Sequence, residues 1–152
     1  MKVFLTGGTG FVGSEVLRQL VSAGHSVRAL VREGSEDKLT VTDGVEIHPG
    51  DISDAASLVG GPEGCDAVIH LVGIIREFPG RGVTFKKMHV LGTENVLEAA
   101  EEQGVSRYLH MSSNGTRESS NTGYHRTKWQ AEELVRNSNL EWTIFRPSLI
   151  FA

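Results

Sequence analysis

The chain has 152 residues, 39 % of them apolar and 22 % charged, with a formal charge of -4. That length suits one domain with a core of its own, needing neither disulfides nor metals. The mildly acidic balance gives no electrostatic reason to expect nucleic acid or an anionic membrane as partner. A single cysteine, Cys65, rules out an internal disulfide and fits a reducing compartment.

The run Met1–Leu5 is too short for a signal peptide or a membrane span, so the chain reads as cytoplasmic. Lys2–Thr6 is the first expected strand. Phe11–Ala23 follows as a helix, with Val12, Val16, Leu17, Leu20 and Val21 at helical spacing and Gly24 just past its end. Further strands are expected at Ser26–Val31, Val45–His48, Ala67–Leu71, Tyr108–Met111 and Trp142–Arg146. Several are nearly continuous in apolar character, as parallel strands buried on both faces require. A short helix is expected over Asp54–Val59 and longer ones over Thr84–Gln103 and Tyr124–Asn137. Strands alternating with helices predict an α/β fold: a doubly wound parallel sheet of about six strands with helices on both faces, the Rossmann arrangement. Arg32–Gly44 and Gly73–Gly82 show no clear period, and Gly80-Arg81-Gly82 marks the second as a mobile active-site loop.

The chemistry begins at Thr6-Gly7-Gly8-Thr9-Gly10-Phe11-Val12-Gly13, immediately after a strand and opening a helix. Gly7 suits the tight turn, Gly10 lets backbone approach a pyrophosphate, and Gly13 lets the helix pack on the strand. Free amides at the helix start, with its positive dipole end, then hold phosphates. The bland alternative is a glycine-rich structural turn.

This loop resembles that of the extended short-chain dehydrogenase/reductase family, whose first glycine interval is one residue longer than the usual Rossmann spacing. The resemblance implies dinucleotide contacts from Gly7, Thr9, Gly10, Phe11, Val12 and Gly13. At the end of the second strand, Val31 stands where NAD-type members carry Asp, and Arg32 follows, with Arg28 earlier on the strand. A guanidinium offers a planar fork and a fixed charge to a 2′-phosphate, so NADP is favoured over NAD; the alternative is a solvated Arg32 with Glu33 on the ribose. By resemblance, Asp51 and Ile52 contact the adenine edge, Leu71-Val72-Gly73 packs along the adenine ribose, and the turn at Pro147 lines the nicotinamide.

Tyr124 and Lys128 lie four residues apart, on one helix face. A neighbouring cation and a helix start both favour a phenolate, which suits a tyrosine to proton exchange with a carbonyl or an alcohol. The alternative is an ordinary helical pair, packed at one end and solvated at the other. Met111-Ser112-Ser113-Asn114 ends the fifth strand at the edge where such sheets bind ligands. By resemblance Ser113 orients the substrate carbonyl, with Ser112 close behind.

The segment His89-Val90-Leu91-Gly92-Thr93-Glu94-Asn95 carries His89 where the family usually has an Asn that holds a water for proton relay. His89 either bonds a backbone carbonyl or is structural. The remaining histidines, His25, His48, His70, His110 and His125, show no metal spacing and read as turn, strand-end or surface residues. With the short interval between Ser113 and Tyr124, the chain looks like the atypical, epimerase/dehydratase-like branch. That branch includes the accessory nucleotide-binding subunit of respiratory complex I and NAD(P)-sensing regulators.

Residues 1–152 therefore read as a dinucleotide-binding domain, expected to be a fragment whose substrate-capping part lies outside it. The expected function is NAD(P)-dependent hydride transfer at a carbonyl or alcohol of a small-molecule substrate, with Ser113, Tyr124 and Lys128 as the catalytic set. The alternative is a binding subunit or sensor without turnover, and for these 152 residues alone cofactor binding without efficient turnover is expected. The resemblance also implies a homodimer through the helices at Thr84–Gln103 and Tyr124–Asn137, whose apolar residues permit it; packing of those residues into the core is the equal alternative.

Overall fold

The structure, a computed structural model, describes residues 1–151. Six strands, β1 (Lys2–Thr6), β2 (Ser26–Val31), β3 (Val45–Pro49), β4 (Ala67–His70), β5 (Arg107–Met111) and β6 (Glu141–Phe145), form one sheet in the order β3-β2-β1-β4-β5-β6. Every pairing is parallel, with Phe4 opposite Arg28 on one side and Val68 on the other. Each expected strand is present, its ends shifted by at most one residue.

Helix α1 (Phe11–Ser22) packs on one face of the sheet through Leu17, against Leu5, Val27, Ala29 and Val31. On the other face, α2 (Gly92–Glu102) and α3 (Gly123–Asn137) bury Val96, Ala100 and Val135 against Phe4, Val68 and Tyr108. The expected helix at Thr84–Gln103 is not uniform: Lys86–Leu91 is a π-helical turn that runs into α2. Such wide turns occur frequently at functional sites, and this one carries the buried Met88 and His89. The short helix over Asp54–Val59 is a 3₁₀ turn, Ala55–Leu58, capped by the Asp54 carboxylate. The Gly73–Gly82 loop is closed by an antiparallel bridge between Phe78 and Val83 around the 3₁₀ turn Pro79–Arg81.

The strand order reverses between β1 and β4, so the loops leaving these two strands diverge and open a crevice at their carboxyl ends. Beneath that crevice lies a buried aromatic group. The His70 and His110 rings stack at 5.5 Å, with Tyr108 beside them. These two histidines do sit toward strand ends, but they are fully buried rather than exposed.

Candidate functional site

Two adjoining clefts of about 230 and 780 Å³ share Gly7, Gly10, Leu71 and Gly73 at the switch point. The glycine loop forms their common wall. Gly7 has φ +81°, a conformation open to glycine and strained for other residues. A Cβ on Gly13 would stand 1.9 Å from the Gly7 carbonyl oxygen, so only glycine lets α1 approach the loop this closely. Gly10 caps α1 without a side-chain bond, and no acidic residue occupies the first turn. Among the described residues the amides of Phe11, Val12 and Gly13 have no acceptor. Unpaired amides at a helix start that faces a cleft suit a pyrophosphate.

The smaller cleft is lined by Thr9, Leu30, Arg32, Asp51, Ile52, Leu71 and Val72. The structure therefore brings together the residues expected around an adenosine. Asp51 Oδ1 accepts from the Ser53 amide and hydroxyl at 2.8 Å each. Ile52 is buried, its carbonyl accepting from Asn95 Nδ2 at 2.7 Å. Asn95 and Gly92, which packs directly on Ile52, hold this wall in place. Sequence reasoning had them as motif residues without assigning this role. Arg32 is exposed at the cleft, and its guanidinium has no hydrogen-bond or ion-pair partner among the described residues. Arg28 is corrected. Its guanidinium pairs with Glu46 at 2.9 Å and donates to the Gly61 and Glu63 carbonyls, so it belongs to a structural lock and not to the cleft.

The larger cleft is lined by Phe11, Val12, Ile75, Ser112, Ser113, Tyr124, Lys128 and Pro147, together with the glycine loop. All three residues of the expected catalytic set reach it. Thr122 caps α3 by accepting from the His125 amide, which places Tyr124 in the first turn. The Tyr124 ring is held edge-on by Phe85, His89 and His125 at 5.1–5.8 Å between centroids. Lys128 is 3 % exposed and donates to the Met111 carbonyl at 2.8 Å. Burial pushes its ammonium down to about 8, with Glu132 opposing the shift. Beyond the end of β5, the Ser112 and Asn114 amides donate to the Phe145 and Pro147 carbonyls at 2.7 and 2.8 Å. The β5–β6 ladder thus extends past its strands and presents Ser113 beside Pro147. Ser112 is buried, whereas Ser113 is half-buried, which agrees with Ser113 as the more accessible hydroxyl.

His89 is 1 % exposed. Its Nδ1 lies 2.9 Å from the Thr127 hydroxyl and its Nε2 3.1 Å from both backbone polar atoms of Ile74. The Thr127 hydroxyl donates back to its own helix, so it accepts from Nδ1–H, and Nε2 then accepts from the Ile74 amide. Burial, with the charge of Lys128, pushes His89 down to about 3, so the ring is neutral. It ties the loop after β4 to α3. Among the described residues no cluster of His, Cys, Asp or Glu could hold a metal ion, and no helix is long and apolar enough to cross a membrane.

A parallel sheet with a glycine turn, an uncapped helix start and paired clefts at its switch point defines a Rossmann-type dinucleotide-binding domain. The chain belongs to the NAD(P)H-binding family, whose profile it matches over residues 7–151. It is 31 % identical over 99 % of its length to a 4-hydroxy-2-methyl-3-oxo-4-farnesyl-3,4-dihydroquinoline-1-oxide ketoreductase of Stigmatella aurantiaca, of which it spans 51 %. It is 30 % identical over 95 % of its length to the mitochondrial NADH-ubiquinone oxidoreductase 40 kDa subunit of Neurospora crassa, spanning 39 % of that protein. A crystal structure of a short-chain dehydrogenase/reductase superfamily protein from Agrobacterium tumefaciens with bound NAD superposes with a TM-score of 0.76 at 29 % identity, covering 96 % of this chain and 48 % of that one. The chain thus spans between about a third and a half of the curated relatives it matches.

Proposed function

We propose that this chain is the cofactor-holding part of an oxidoreductase that interconverts a carbonyl and an alcohol on a small-molecule substrate. The observation that carries this reading is that Ser113, Tyr124 and Lys128 open into the same cleft as the uncapped start of α1. The amides of Phe11, Val12 and Gly13 would hold the pyrophosphate, with the adenosine half between Asp51, Ile52 and Leu71. When bound, NAD(P)H supplies the hydride. Ser113 orients the carbonyl oxygen by donating a hydrogen bond. Tyr124 delivers its phenol proton to that oxygen as the alcohol forms, and takes a proton from the alcohol in the reverse direction. Lys128, buried and cationic, stabilises the phenolate left behind.

Arg32, free of partners at the adenosine cleft, supports NADP as the preferred cofactor, because an unpaired guanidinium there matches a 2′-phosphate. A second reading, a binding subunit without turnover, rests on His89, whose ring nitrogens are both engaged within the protein. The two readings separate on Tyr124→Phe. General acid–base catalysis is worth about 10²–10⁴ in rate, so for an enzyme the variant loses that much of kcat while binding NADPH within a few-fold of the parent. Turnover unaffected by the substitution removes Tyr124 from the chemistry. Tight cofactor binding with no reduction across a panel of ketones and diketones, measured on the full-length protein that contains this cofactor-holding part, selects the second reading.

A further inference from the structure

Below the catalytic cleft, one turn after Lys128 on α3, lies a carboxylate that the proposed chemistry does not use. Glu132 is 0 % exposed. It accepts from Arg146 Nε at 2.8 Å and Nη2 at 2.5 Å, and from Arg136 Nη2 at 2.5 Å. The guanidiniums of Arg136 and Arg146 also lie over the Trp129 ring, at 4.8 and 5.9 Å from its centroid. Burying an ion pair costs desolvation, and an apolar cluster of similar volume often serves stability as well. The stability of α3 alone therefore does not account for a carboxylate at this position.

Its connections lead to the site on two sides. Arg146 sits between Phe145 and Pro147, whose carbonyls hold the Ser112 and Asn114 amides on either side of Ser113. In the other direction, one helical turn separates Glu132 from Lys128, whose ammonium is held by the Met111 carbonyl at the end of the same strand, β5. We propose that Glu132 is a positioning residue that ties the lysine-bearing face of α3 to the Arg146-Pro147 turn. It thereby fixes Ser113 and Pro147 relative to Tyr124 and Lys128. This rests on the oxidoreductase reading only for its consequence in turnover; the tie itself is a property of the chain.

The electrostatics of Lys128 provide a readout that a passive strut would not move. Burial opposes the ionised form of Glu132, but the hydrogen bonds from Arg146 and Arg136 outweigh it and hold the carboxyl below its usual range. It is therefore the fixed negative charge near Lys128. The other titratable groups around the ammonium are His89 on the π-helical turn, His70 on β4 and His110 on β5, all kept neutral by burial, and Tyr124 on α3 itself.

The test is the titration of the Lys128 side chain by ¹⁵N NMR in the cofactor-free protein, for the parent, Glu132→Gln and Arg146→Met. Loss of the carboxylate removes the stabilisation of the ammonium, so in Glu132→Gln the midpoint falls by about half a pH unit or more. Loss of the guanidinium leaves the carboxylate less neutralised, so in Arg146→Met the midpoint rises. Opposite shifts are the signature of the tie. An unchanged midpoint in folded Glu132→Gln overturns it, as do shifts of the same sign in both variants. If Glu132→Gln does not fold, Arg146→Met decides alone: a rise supports the proposal and no change overturns it.

Turnover of benzil with NADPH is followed in parallel on the full-length protein that contains this part. A displaced Ser113 lowers kcat by about tenfold or more in both variants, with NADPH affinity within about threefold because the α1 amides are untouched. NMR shifts as expected, with no reduction of benzil or any other ketone of a panel by the full-length parent, would keep the tie and reject the oxidoreductase reading. A kcat in both variants equal to that of an active parent would reject the positioning role.

Discussion

Gly13→Ala isolates the geometry of the proposed phosphate cradle. A Cβ there would lie 1.9 Å from the Gly7 carbonyl oxygen, 2.7 Å from the Gly7 carbonyl carbon and 2.9 Å from the Gly8 Cα, all backbone atoms that cannot rotate aside. Ordinary contact begins near 3.4 Å, so α1 must withdraw by about 1.5 Å. That shift carries the amides of Phe11, Val12 and Gly13 out of range of a pyrophosphate. A hydrogen bond to a charged group contributes roughly 1.5–3 kcal/mol, so losing two costs about 3–6 kcal/mol. Affinity for NADPH and NADH should then fall by about a hundredfold or more, and overpacking should also destabilise the fold by about 1–3 kcal/mol. Calorimetric titration with both cofactors, beside a denaturant melt, measures the two effects. Gly24→Ala is the control. Gly24 also has a positive φ, but nothing lies within 4 Å of its Cβ position, so it should lose about 1 kcal/mol of stability and no affinity. If Gly13→Ala binds NADPH within threefold of the parent, the glycine loop is not the phosphate site.

Three further outcomes are expected. Arg32→Ala should cost NADPH about ten- to a hundredfold in affinity and leave NADH unchanged by calorimetry, since one charge-assisted contact to the 2′-phosphate is lost; equal losses for both cofactors would refute the assignment. Asn95→Ala leaves the buried Ile52 carbonyl without its 2.7 Å donor and should destabilise the fold by about 1–3 kcal/mol in urea. Burial, with the charge of Lys128, pushes His70 and His89 down from 6.5 to about 3, and burial pushes His110 down as well. Folded-state values below the unfolded one mean that the unfolded chain binds more protons between pH 6.5 and about 3. The stability these rings contribute is complete above that window and lost as pH falls through it, by up to about 1.4 kcal/mol per pH unit for each ring. A urea midpoint that is the same at about pH 7.5 and about pH 5 would contradict three neutral buried imidazoles.

Signals confined to neighbouring residues were legible in advance. The parallel strands declared themselves by short apolar runs, the glycine loop by its place between strand and helix, and Tyr124 with Lys128 by helical spacing. The π-helical turn at Lys86–Leu91 has the same apolar spacing as an α-helix over so short a stretch, so no period distinguishes it. Arg28 on β2 and Arg32 just past its end look alike as letters. Packing separates them, because Glu46 on β3 and the carbonyls of Gly61 and Glu63 take one guanidinium and leave the other in the cleft.

By itself the sequence determined the fold class, the order of the elements and the glycine turn that opens α1, since apolar period, turn chemistry and helix starts are written in residues close together along the chain. Only the tertiary structure decided that His70 and His110 are buried, that His89 joins the loop after β4 to α3, and that Glu132 grips Arg146 across 14 residues. A buried polar group takes whichever partner the packed sheet and helices bring to it, and that choice is made in space.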